Sequence, residues 1–461
     1  MNRQINLHEE TEIVPTEKAR SFDEVPSLRQ SIFKPVEHSI EALANMNNAP
    51  FAAMKPLLPF KALMPFKVVF VRDPEVLEEI YSHPKVGVQK PPFALSRVRS
   101  LMSGGTFISS GLDRSWLHRR AMSGPPLLRL NNLPDLMQEI EKVIECRNEV
   151  HFPTDKPIDL ADATRRHITD VTFRLFFSVE LDENDLSEIA HWTEVLENEF
   201  PKTMPQWLPT PGNTRFRHAS ARFSKFVDQL IAQRRITKPK KPDSLSPLFE
   251  KEDPKLGRMW TDVEIRDEFF SHYFGASAMA TPISWVLYIL AIDAALLRRV
   301  QAEIDGVEQL DVSTIDALPI LNAVLEEVTR LYPTFWGSLR YSADSVILGG
   351  HQFPEKTMFV LLRFLAQRHP KYWTNPEAFD IDRFLDETSS NQHPAAKFEY
   401  GRGQRICIGQ RVSPLIIKTS LAKILRNREP ILKNSDARLP SPRFGFGTYL
   451  DTPVSITMRP R

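Results

Sequence analysis

Apolar residues recur at helical spacing over most of the chain, beginning with a segment bounded by Asn132 and Pro134. The apolar face of this segment comprises Leu133, Leu136, Met137, Ile140, Val143 and Ile144. Strand patterns are shorter, and the clearest are KVVFV at 67–71, SVILGG at 345–350 and VSITM at 454–458. The pattern therefore predicts a mainly α fold with small β-sheets, in the α+β class.

The longest helical pattern runs from Thr261 to about Val300. Thr261 and Glu264 have capping-box spacing at its start, and the residues that follow are apolar with little charge. A helix that is apolar on most sides is buried, so we expect it to pass through the middle of the protein. Pro282 removes one backbone donor and its ring clashes with the carbonyl of Ala278, which predicts that the helix opens near Ala278.

The chain has 461 residues, which is more than one simple core usually supports. Residues 1–30 have the composition of a polar, weakly ordered tail. We expect residues 31–461 to form a single domain built around something bulky, although the length alone also allows two domains. The basic, proline-rich run TKPKKPDSLSP at 237–247 predicts a solvated connection.

The charge balance and the cysteine content indicate which classes of binding partner the protein has and in which cell compartment it works. The chain has 59 basic and 58 acidic residues, so no overall field favours an anionic membrane and we expect no nucleic-acid partner. The first fifty residues contain no apolar run long enough for a membrane anchor or a signal sequence. Cys146 and Cys407 are the only cysteines, so we expect no disulfide and a cytoplasmic location.

Cys407 lies within YGRGQRICIGQRVSP, residues 400–414, which holds three of the 17 glycines. Glycine permits positive φ and close backbone approach, so we predict a tight loop against a large, flat group. An apolar helical pattern follows, and a cysteine at a helix N-terminus beside Arg405 favours the thiolate. A thiolate nucleophile needs a base, but no histidine is close in sequence, and a zinc site needs more ligands. A single thiolate on haem iron needs neither.

The stretch resembles the haem-binding loop of the cytochrome P-450 family, Phe-Gly-x-Gly-x-Arg-x-Cys-x-Gly. The matching residues are Tyr400, in place of phenylalanine, Gly401, Gly403, Arg405, Cys407 and Gly409. The resemblance implies the cytochrome P-450 fold, with a long central helix over haem b (iron protoporphyrin IX) and Cys407 as the axial thiolate. Thiolate ligation favours O–O cleavage, so residues 31–461 are implied to be one haem-thiolate monooxygenase domain.

Two further segments match the same family. EEVTR supplies Glu327 and Arg330 one helical turn apart, and the resemblance implies that they form a buried network with Arg383 that holds the haem-loop scaffold. WLHRR places Trp116 and Arg120 on one face of a short helix. The resemblance places against the haem propionates the residues Trp116, Arg120, Arg340 and Arg405.

The central helix departs from the family, in which an acid and a threonine relay protons to dioxygen. Aligned on the Ser-Trp pair at 284–285, the acid is replaced by Ser277 and the threonine by Ala278. Two protons must still reach the distal oxygen before the O–O bond breaks. Ser277 and Thr281 are the candidate catalytic donors, and His272, a water at the Ala278 carbonyl or a substrate hydroxyl are alternatives.

The resemblance also places a set of mostly apolar residues over the distal face, namely Phe274, Ala278, Met279, Phe335, Trp336, Phe444 and Phe446. A wide apolar pocket with few polar groups predicts a medium-to-large lipophilic small-molecule substrate, in secondary metabolism. Lys90, Arg97 and Arg99 precede Trp116, and we interpret them as a solvated loop, with contact to a carboxylate as the alternative.

No second cofactor domain follows the haem region, so we expect a monomer that takes electrons from a separate ferredoxin or flavodoxin with its reductase. Lys397, Arg402 and Arg411 are candidates to receive an acidic carrier. Two alternatives stay open. One is a haem-thiolate enzyme with peroxide-driven or non-hydroxylating chemistry, such as desaturation, coupling or rearrangement. The other is a haem-binding sensor or carrier without turnover.

Overall fold

The structure is a computed structural model. It describes residues 20–21, 27–29, 50–55, 67–91, 96–108, 115–128, 133–200, 206–253, 256–385, 397–433, 441–451 and 453–461. The helices in these ranges are α1 (Pro74–Ser82), α2 (Ser96–Leu101), α3 (Gly105–Ile108), α4 (Ser115–Leu128), α5 (Leu133–His151), α6 (Leu160–Phe177), α7 (Glu183–Glu199), α8 (Pro211–Ile236), α9 (Ser246–Glu250), α10 (Asp262–Ser277), α11 (Ala280–Ile292), α12 (Ala294–Asp305), α13 (Val312–Asp316), α14 (Pro319–Leu331), α15 (Arg363–Ala366) and α16 (Ser413–Asn427).

The strands are β1 (Ser27–Arg29), β2 (Phe51–Lys55), β3 (Lys67–Val71), β4 (Pro157–Asp159), β5 (Ser338–Ser342), β6 (Val346–Leu348), β7 (His351–Phe353), β8 (Thr357–Leu361), β9 (Arg428–Leu432), β10 (Pro442–Phe444), β11 (Thr448–Leu450) and β12 (Ser455–Pro460). They form a five-stranded sheet in the order β1-β2-β3-β8-β5, a three-stranded sheet in the order β4-β12-β9, and the hairpins β6-β7 and β10-β11. The predicted class, mainly α with small sheets, is confirmed.

The predicted central helix is observed as the pair α10 and α11. The capping box at its start is confirmed, because Glu264 N donates to Thr261 Oγ1 and Thr261 N donates to Glu264 Oε2. The predicted opening is also confirmed, since α10 and α11 are separated at Ala278 and Met279. The Ala278 carbonyl, which Pro282 cannot satisfy, accepts a hydrogen bond from Thr281 N at 3.3 Å.

The predicted end of this helix near Val300 is wrong, because α11 stops at Ile292. Asp293 interrupts the pattern with φ −118° and ψ 89°, and its side chain accepts from the N–H groups of Ala295 and Leu296. An acidic N-cap therefore begins a new helix, α12, in the middle of a continuous apolar pattern.

The segment Asp262–Ile292 is the described stretch that is long and apolar enough to cross a membrane. Most of its apolar part is buried inside the protein, and Trp285 and Leu287 are each fully buried. It is therefore the core helix around which α6, α8 and α14 pack, as its all-round apolar pattern predicts.

The remaining sequence predictions on local structure are mostly confirmed. The apolar segment after Asn132 is α5, and KVVFV is β3 with the same bounds. SVILGG contains β6 and VSITM contains most of β12. Of residues 1–30, only 20–21 and 27–29 are described, and the latter form β1, which pairs with β2.

The connection at 237–247 is solvated only in its first half. Lys238 is exposed, but from Asp243 the chain is buried because Arg234 Nη1 donates to Asp243 Oδ1 at 2.9 Å. This buried ion pair fixes the connection against α8 and allows α9 to begin at Ser246.

Candidate active site

Cys407 stands immediately before a single helical turn, Ile408–Arg411, which leads into α16. Its Sγ accepts a hydrogen bond from Gly409 N at 3.3 Å, so the sulfur caps this turn. The Cys407 N–H donates to Tyr400 O at 2.9 Å and closes the loop. The predicted position at a helix N-terminus is thus found in the form of a capped 3₁₀ turn.

Glycine is required in this loop at Gly401 and Gly403, which have φ of 69° and 68°. A Cβ on Gly403 would lie 2.1 Å from the carbonyl oxygen of Tyr81, at the C-terminal end of α1. The loop therefore packs directly on protein backbone at this point. Gly409 has no positive φ, and a Cβ there would make only an ordinary contact, 3.7 Å, with Cys407 Sγ.

The electrostatics of the sulfur differ from the sequence prediction. The Cys407 side chain is exposed, yet desolvation by the surrounding protein raises the pKa of its thiol, and the Gly409 N–H and the cations Arg120 and Arg363 lower that pKa without cancelling the rise. The Arg405 guanidinium stacks over the Trp116 ring at 3.9 Å, and its stabilisation of the thiolate stays a prediction.

The four residues that the resemblance assigns to the propionates are brought together with the cysteine loop. Arg120, on α4, donates from Nη1 to Ile406 O at 2.7 Å, next to Cys407. Arg405 donates from Nε to Val88 O at 3.0 Å and stacks on the fully buried Trp116.

Arg340 completes this group from β5, where its guanidinium lies 5.0 Å from the centre of the Tyr81 ring. Its Nε is buried and has no hydrogen-bond partner among the described residues. Burial lowers the pKa of the Lys90 ammonium well below its usual value, and Arg405, Arg340 and Arg99 lower it further. These cations repel one another, and the Nε–H of Arg340 lacks a hydrogen-bond acceptor among the described residues. The group therefore fits a ligand that carries carboxylates, as haem does.

The reading of Lys90, Arg97 and Arg99 as a solvated loop is wrong. Lys90 belongs to the buried cation group, and Arg97 is only 1% exposed. Arg97 donates from Nη2 to Asn213 Oδ1 at 2.6 Å and lies 3.5 Å from Glu199 Oε2. Arg97 therefore ties α2 to the facing ends of α7 and α8, which the sequence spacing did not reveal.

The implied network of Glu327, Arg330 and Arg383 is present as a set of contacts. Arg330 Nε donates to Glu327 Oε2 at 2.6 Å, its Nη2 donates to Oε1 at 2.8 Å, and Arg383 Nε donates to Oε1 at 3.2 Å. Glu327 is fully buried, and Asp380 N also donates to its Oε1 at 2.8 Å. Arg330 Nη1 reaches the Pro376 carbonyl at 2.7 Å, so the network joins α14 to the segment around residues 376–383.

Ser277 and Thr281 are both buried at the break between α10 and α11. Ser277 Oγ donates to Glu197 Oε1 at 2.9 Å and lies 3.3 Å from the Phe274 carbonyl. Glu197 is a buried carboxyl on α7 that sequence reasoning missed, because nothing in its local pattern distinguishes it from a surface glutamate. Burial lowers the pKa of His272, another candidate donor, to about 4.

The predicted pocket residues fall into two groups. Phe274 contacts Phe200 with ring centres 5.2 Å apart, Phe200 contacts Phe446 at 5.3 Å, and Phe446 contacts Phe335 at 5.2 Å. Met279 and the half-buried Ala278 lie at the helix break beside this series of rings. Phe200, at the end of α7, is a member that the sequence did not suggest.

Trp336 and Phe444 belong instead to an apolar cluster on the five-stranded sheet. Phe444 packs on Phe364 with ring centres 5.0 Å apart, and Trp336 Nε1 donates to Gly445 O at 2.8 Å. These two residues therefore anchor the β10-β11 hairpin to the sheet.

The basic residues near the cysteine loop are partly neutralised by acidic neighbours. Lys397 Nζ lies 3.1 Å from Glu326 Oε2, and Arg402 Nε lies 3.6 Å from Glu78 Oε2. Arg411 is exposed on the turn after Cys407 and has no acidic partner within the part of the chain that the structure describes.

The mainly helical fold has a cysteine-capped turn before α16, a Glu-Arg-Arg network and a group of cations that could bind carboxylates, which is the arrangement expected of a haem-thiolate protein. The family model described as Cytochrome P450 matches residues 59–452. The chain therefore belongs to the cytochrome P-450 family, and it is a monooxygenase of the haem-thiolate type. In this family a cysteine thiolate holds the haem.

Two curated relatives come from Streptomyces. Cyclooctat-9-en-7-ol 5-monooxygenase of Streptomyces melanosporofaciens is 27% identical over 359 residues, which cover 75% of this chain and 76% of the relative. Pentalenene oxygenase of Streptomyces avermitilis is 30% identical over 236 residues, which cover 50% and 52%. These similarities are consistent with a role in secondary metabolism.

Two solved structures share the fold. The cytochrome P450DA heme domain has a TM-score of 0.77 at 19% identity, with 96% of this chain and 99% of that chain covered. The cyanobacterial CYP120A1 with bound retinoic acid has a TM-score of 0.75 at 18% identity, with 91% and 96% covered. The predicted cytochrome P-450 fold is thus confirmed.

Proposed function

We propose that this protein oxidises a lipophilic small molecule of secondary metabolism with haem b that is held by Cys407. The observation that carries the assignment of Cys407 is its geometry: Sγ caps a helical turn through Gly409 N, and Arg120 binds the adjacent Ile406 carbonyl. When bound, haem supplies the iron centre at which dioxygen is reduced and one oxygen atom is transferred to substrate. Cys407 would hold the iron as the thiolate, since metal binding displaces the thiol proton even where the thiol pKa is raised.

The cations around the loop would hold the propionates. Arg120, Arg340 and Arg405 supply forked donors and Trp116 supplies the surface on which Arg405 stacks. Lys90 would join them, because its desolvated ammonium gains a counter-charge when a carboxylate enters. The network of Glu327, Arg330 and Arg383 is proposed to keep the surrounding backbone rigid.

The substrate is proposed to be medium to large and lipophilic. The rings of Phe274, Phe335 and Phe446, linked through Phe200, provide apolar surface with few polar groups. The substrates named in the two relatives, cyclooctat-9-en-7-ol and pentalenene, favour an unsaturated hydrocarbon or its alcohol. Trp336 and Phe444, which anchor the β10-β11 hairpin, would complete the apolar lining of the substrate pocket.

Electrons are proposed to come from a separate ferredoxin or flavodoxin with its reductase, since cytochrome P-450 homologues generally use redox partners. We further propose a cytoplasmic monomer in which residues 31–461 form one catalytic domain. The family match over residues 59–452 and the single large apolar core around α11 support one domain.

A second candidate is peroxide-driven or non-hydroxylating oxidation by the same haem-thiolate centre. The observation that favours it is Ala278, which offers no hydroxyl at the position where the family relays protons. Product that forms with peroxide alone, and not with dioxygen and a reductase, would support this second candidate over the first.

Replacement of Cys407 by serine tests the proposed ligand. We expect Cys407→Ser to lose the thiolate-haem absorption shift that appears when the reduced protein binds carbon monoxide, because a hydroxyl is a far weaker anionic ligand than a thiolate. Cys146→Ser is the matched control, since Cys146 is exposed on α5, and it should leave the spectrum unchanged. An unaltered spectrum in Cys407→Ser would overturn the assignment.

A further inference from the structure

Helix α7 places a buried carboxyl against the residue that stands where the family has an acid. Ser277 Oγ donates to Glu197 Oε1 at 2.9 Å, and Tyr449 OH donates to Glu197 Oε2 at 3.1 Å. Glu197 is only 7% exposed. Its carboxyl therefore bridges the end of α10 and strand β11, with both oxygens engaged.

The acid that is missing from the central helix is thus present one side chain further away, on α7. Ser277 is not an acid itself, because an aliphatic hydroxyl is far less acidic than a carboxyl, but its hydroxyl can accept one proton and pass on another. We propose that Glu197 and Ser277 together supply a proton to the distal side of the haem pocket, with Glu197 as the acid and the Ser277 hydroxyl as the relay. This inference rests on the monooxygenase function.

The transfer balances in hydrogen and charge. When Glu197 is protonated, its hydrogen bond with Ser277 reverses, so that the carboxyl donates from Oε1 and Ser277 Oγ accepts. The carboxyl gives this hydrogen to Ser277 Oγ, and the original hydroxyl hydrogen of Ser277 passes to a water or to the leaving oxygen of a hydroperoxide in the pocket. Ser277 ends neutral and Glu197 ends as a carboxylate, which takes a new proton from solvent before the next turnover. No electron moves in this step.

The surroundings of Glu197 keep its carboxyl available in the protonated form. Burial raises the pKa of Glu197 above its usual value, and the like charge of Glu194 on the same helix acts in the same direction. Arg165 on α6 and the hydrogen bonds from Ser277 and Tyr449 oppose the rise without cancelling it. The Tyr273 hydroxyl on α10 faces the same region and stays neutral, because burial raises its pKa.

A purely structural bridge is the competing explanation, and it makes different predictions. A glutamine at position 197 keeps an amide oxygen that can accept from Ser277 and Tyr449, so a bridge would survive in Glu197→Gln. A proton source would not survive, because an amide has no acidic hydrogen. A measurement of proton delivery therefore distinguishes the proton source from the structural bridge.

Cumene hydroperoxide is a probe that needs no knowledge of the natural substrate. Two-electron cleavage of its O–O bond takes two electrons from the haem group and one proton at the leaving oxygen, and it releases cumyl alcohol. One-electron cleavage takes one electron and gives an alkoxyl radical, which loses a methyl radical to become acetophenone. The ratio of the two products in the haem-loaded full chain therefore reports proton delivery to the leaving oxygen.

We expect Glu197→Gln and Ser277→Ala each to lower the ratio of cumyl alcohol to acetophenone by at least about tenfold, within the range for a lost general acid. In the unsubstituted protein this ratio should fall as the pH rises through the pKa of Glu197, and in Glu197→Gln it should be flat. Returning an acid to the central helix, as Glu197→Gln with Ser277→Asp, should restore the ratio. Glu188→Gln is the matched control and should leave the ratio and its pH dependence unchanged, because Glu188 lies on α7 and pairs with Arg222 on α8.

Infrared difference spectra provide a readout that does not depend on turnover. The C=O stretch of protonated Glu197 is isolated as the difference between the unsubstituted protein and Glu197→Gln, because Glu268 also stays protonated up to a pH of about 7. This band should persist above pH 4.5, the usual glutamate pKa, and shift in Ser277→Ala through loss of its hydrogen bond. The carbon monoxide spectrum of every variant is recorded first, since its failure in the unsubstituted protein would overturn the haem-thiolate function itself. A normal spectrum with an unchanged product ratio in both single variants would overturn only the proton couple. A product ratio that is lowered in Glu197→Gln and is not restored by the additional change Ser277→Asp would also overturn the proton couple.

Discussion

Glu268 is a fully buried side chain whose charge state changes near neutral pH. Burial and the neighbouring Asp267 raise its pKa to about 7, although Arg119 and hydrogen bonds from Thr106 oppose the rise. Thr106 N donates to Glu268 Oε1 at 2.8 Å, so this carboxyl fixes the start of α3 to the central helix. The charge state of this one residue therefore makes the attachment of the segment before α4 depend on pH.

The sign of this coupling follows from the two pKa values. The folded protein binds the Glu268 proton more tightly than the unfolded chain, because the pKa is about 7 when folded and 4.5 as a model value. The free energy of unfolding thus loses a contribution as the pH rises from about 4.5 to 7, roughly 3 kcal/mol at most from the size of the shift.

We expect Glu268→Gln to remove this loss, because glutamine does not ionise. The difference in unfolding midpoint between the variant and the unsubstituted protein should therefore favour the variant more at pH 8 than at pH 5, measured by denaturant titration. Glu264→Gln is the matched control on the same helix. Its pKa is lowered to about 2 by the hydrogen bond from Arg258, so its contribution is constant between pH 5 and 8. Parallel pH profiles for the two variants would contradict the prediction.

At the scale of elements, the cysteine loop depends on how its first turn packs on α1. Gly401 and Gly403 have almost the same positive φ, 69° and 68°. Nothing lies within 4 Å of a Cβ on Gly401, whereas a Cβ on Gly403 meets the Tyr81 carbonyl at 2.1 Å. Substitution of Gly401 therefore tests backbone strain alone, whereas substitution of Gly403 tests backbone strain and close packing together.

We expect Gly401→Ala to cost roughly 1–2 kcal/mol, the strain of a left-handed backbone at a residue with a Cβ. Gly403→Ala should cost more and should also lower haem retention, because the loop must move away from α1 and carries Cys407 with it. Thermal unfolding and the haem-to-protein absorbance ratio after gel filtration measure the two effects. Equal losses in both variants would show that the contact with Tyr81 is unimportant.

At the scale of the whole molecule, the near balance of charge leaves carrier recognition to local patches. Lys397 and Arg402 are ion-paired with Glu326 and Glu78, so they offer less net positive charge than their sequence positions suggest. Arg411 is the member of the trio that is exposed beside the cysteine turn without such a partner among the described residues.

We expect Arg411→Glu to slow reduction of the haem by an acidic ferredoxin about tenfold at low salt, with the difference shrinking as salt screens the charge. Stopped-flow reduction at several ionic strengths measures this. Arg217→Glu is the control, because Arg217 is exposed on α8 and not beside the cysteine turn. Equal slowing in both variants would indicate a general charge effect and contradict a docking role for Arg411.

The sequence by itself determined the features that depend on local spacing. Glu327 and Arg330 are three positions apart on one helix, so their contact follows from helix geometry wherever the helix packs. Cys407 caps its turn because the glycine loop before it and the helical pattern after it are adjacent in the sequence. The opening at Ala278 follows in the same way from Pro282, which acts on the residue four positions earlier.

Only the tertiary structure decided which distant side chains meet. Glu197 and Ser277 are eighty residues apart, and Lys90 and Arg340 are brought together from separate elements. Neither pairing leaves a trace in local periodicity, because a charged residue that is buried by a crossing helix has the same sequence pattern as one in solvent. The effect of Arg363 on the sulfur was missed for the same reason. Spacing specifies a helix face, whereas packing specifies what that face contacts.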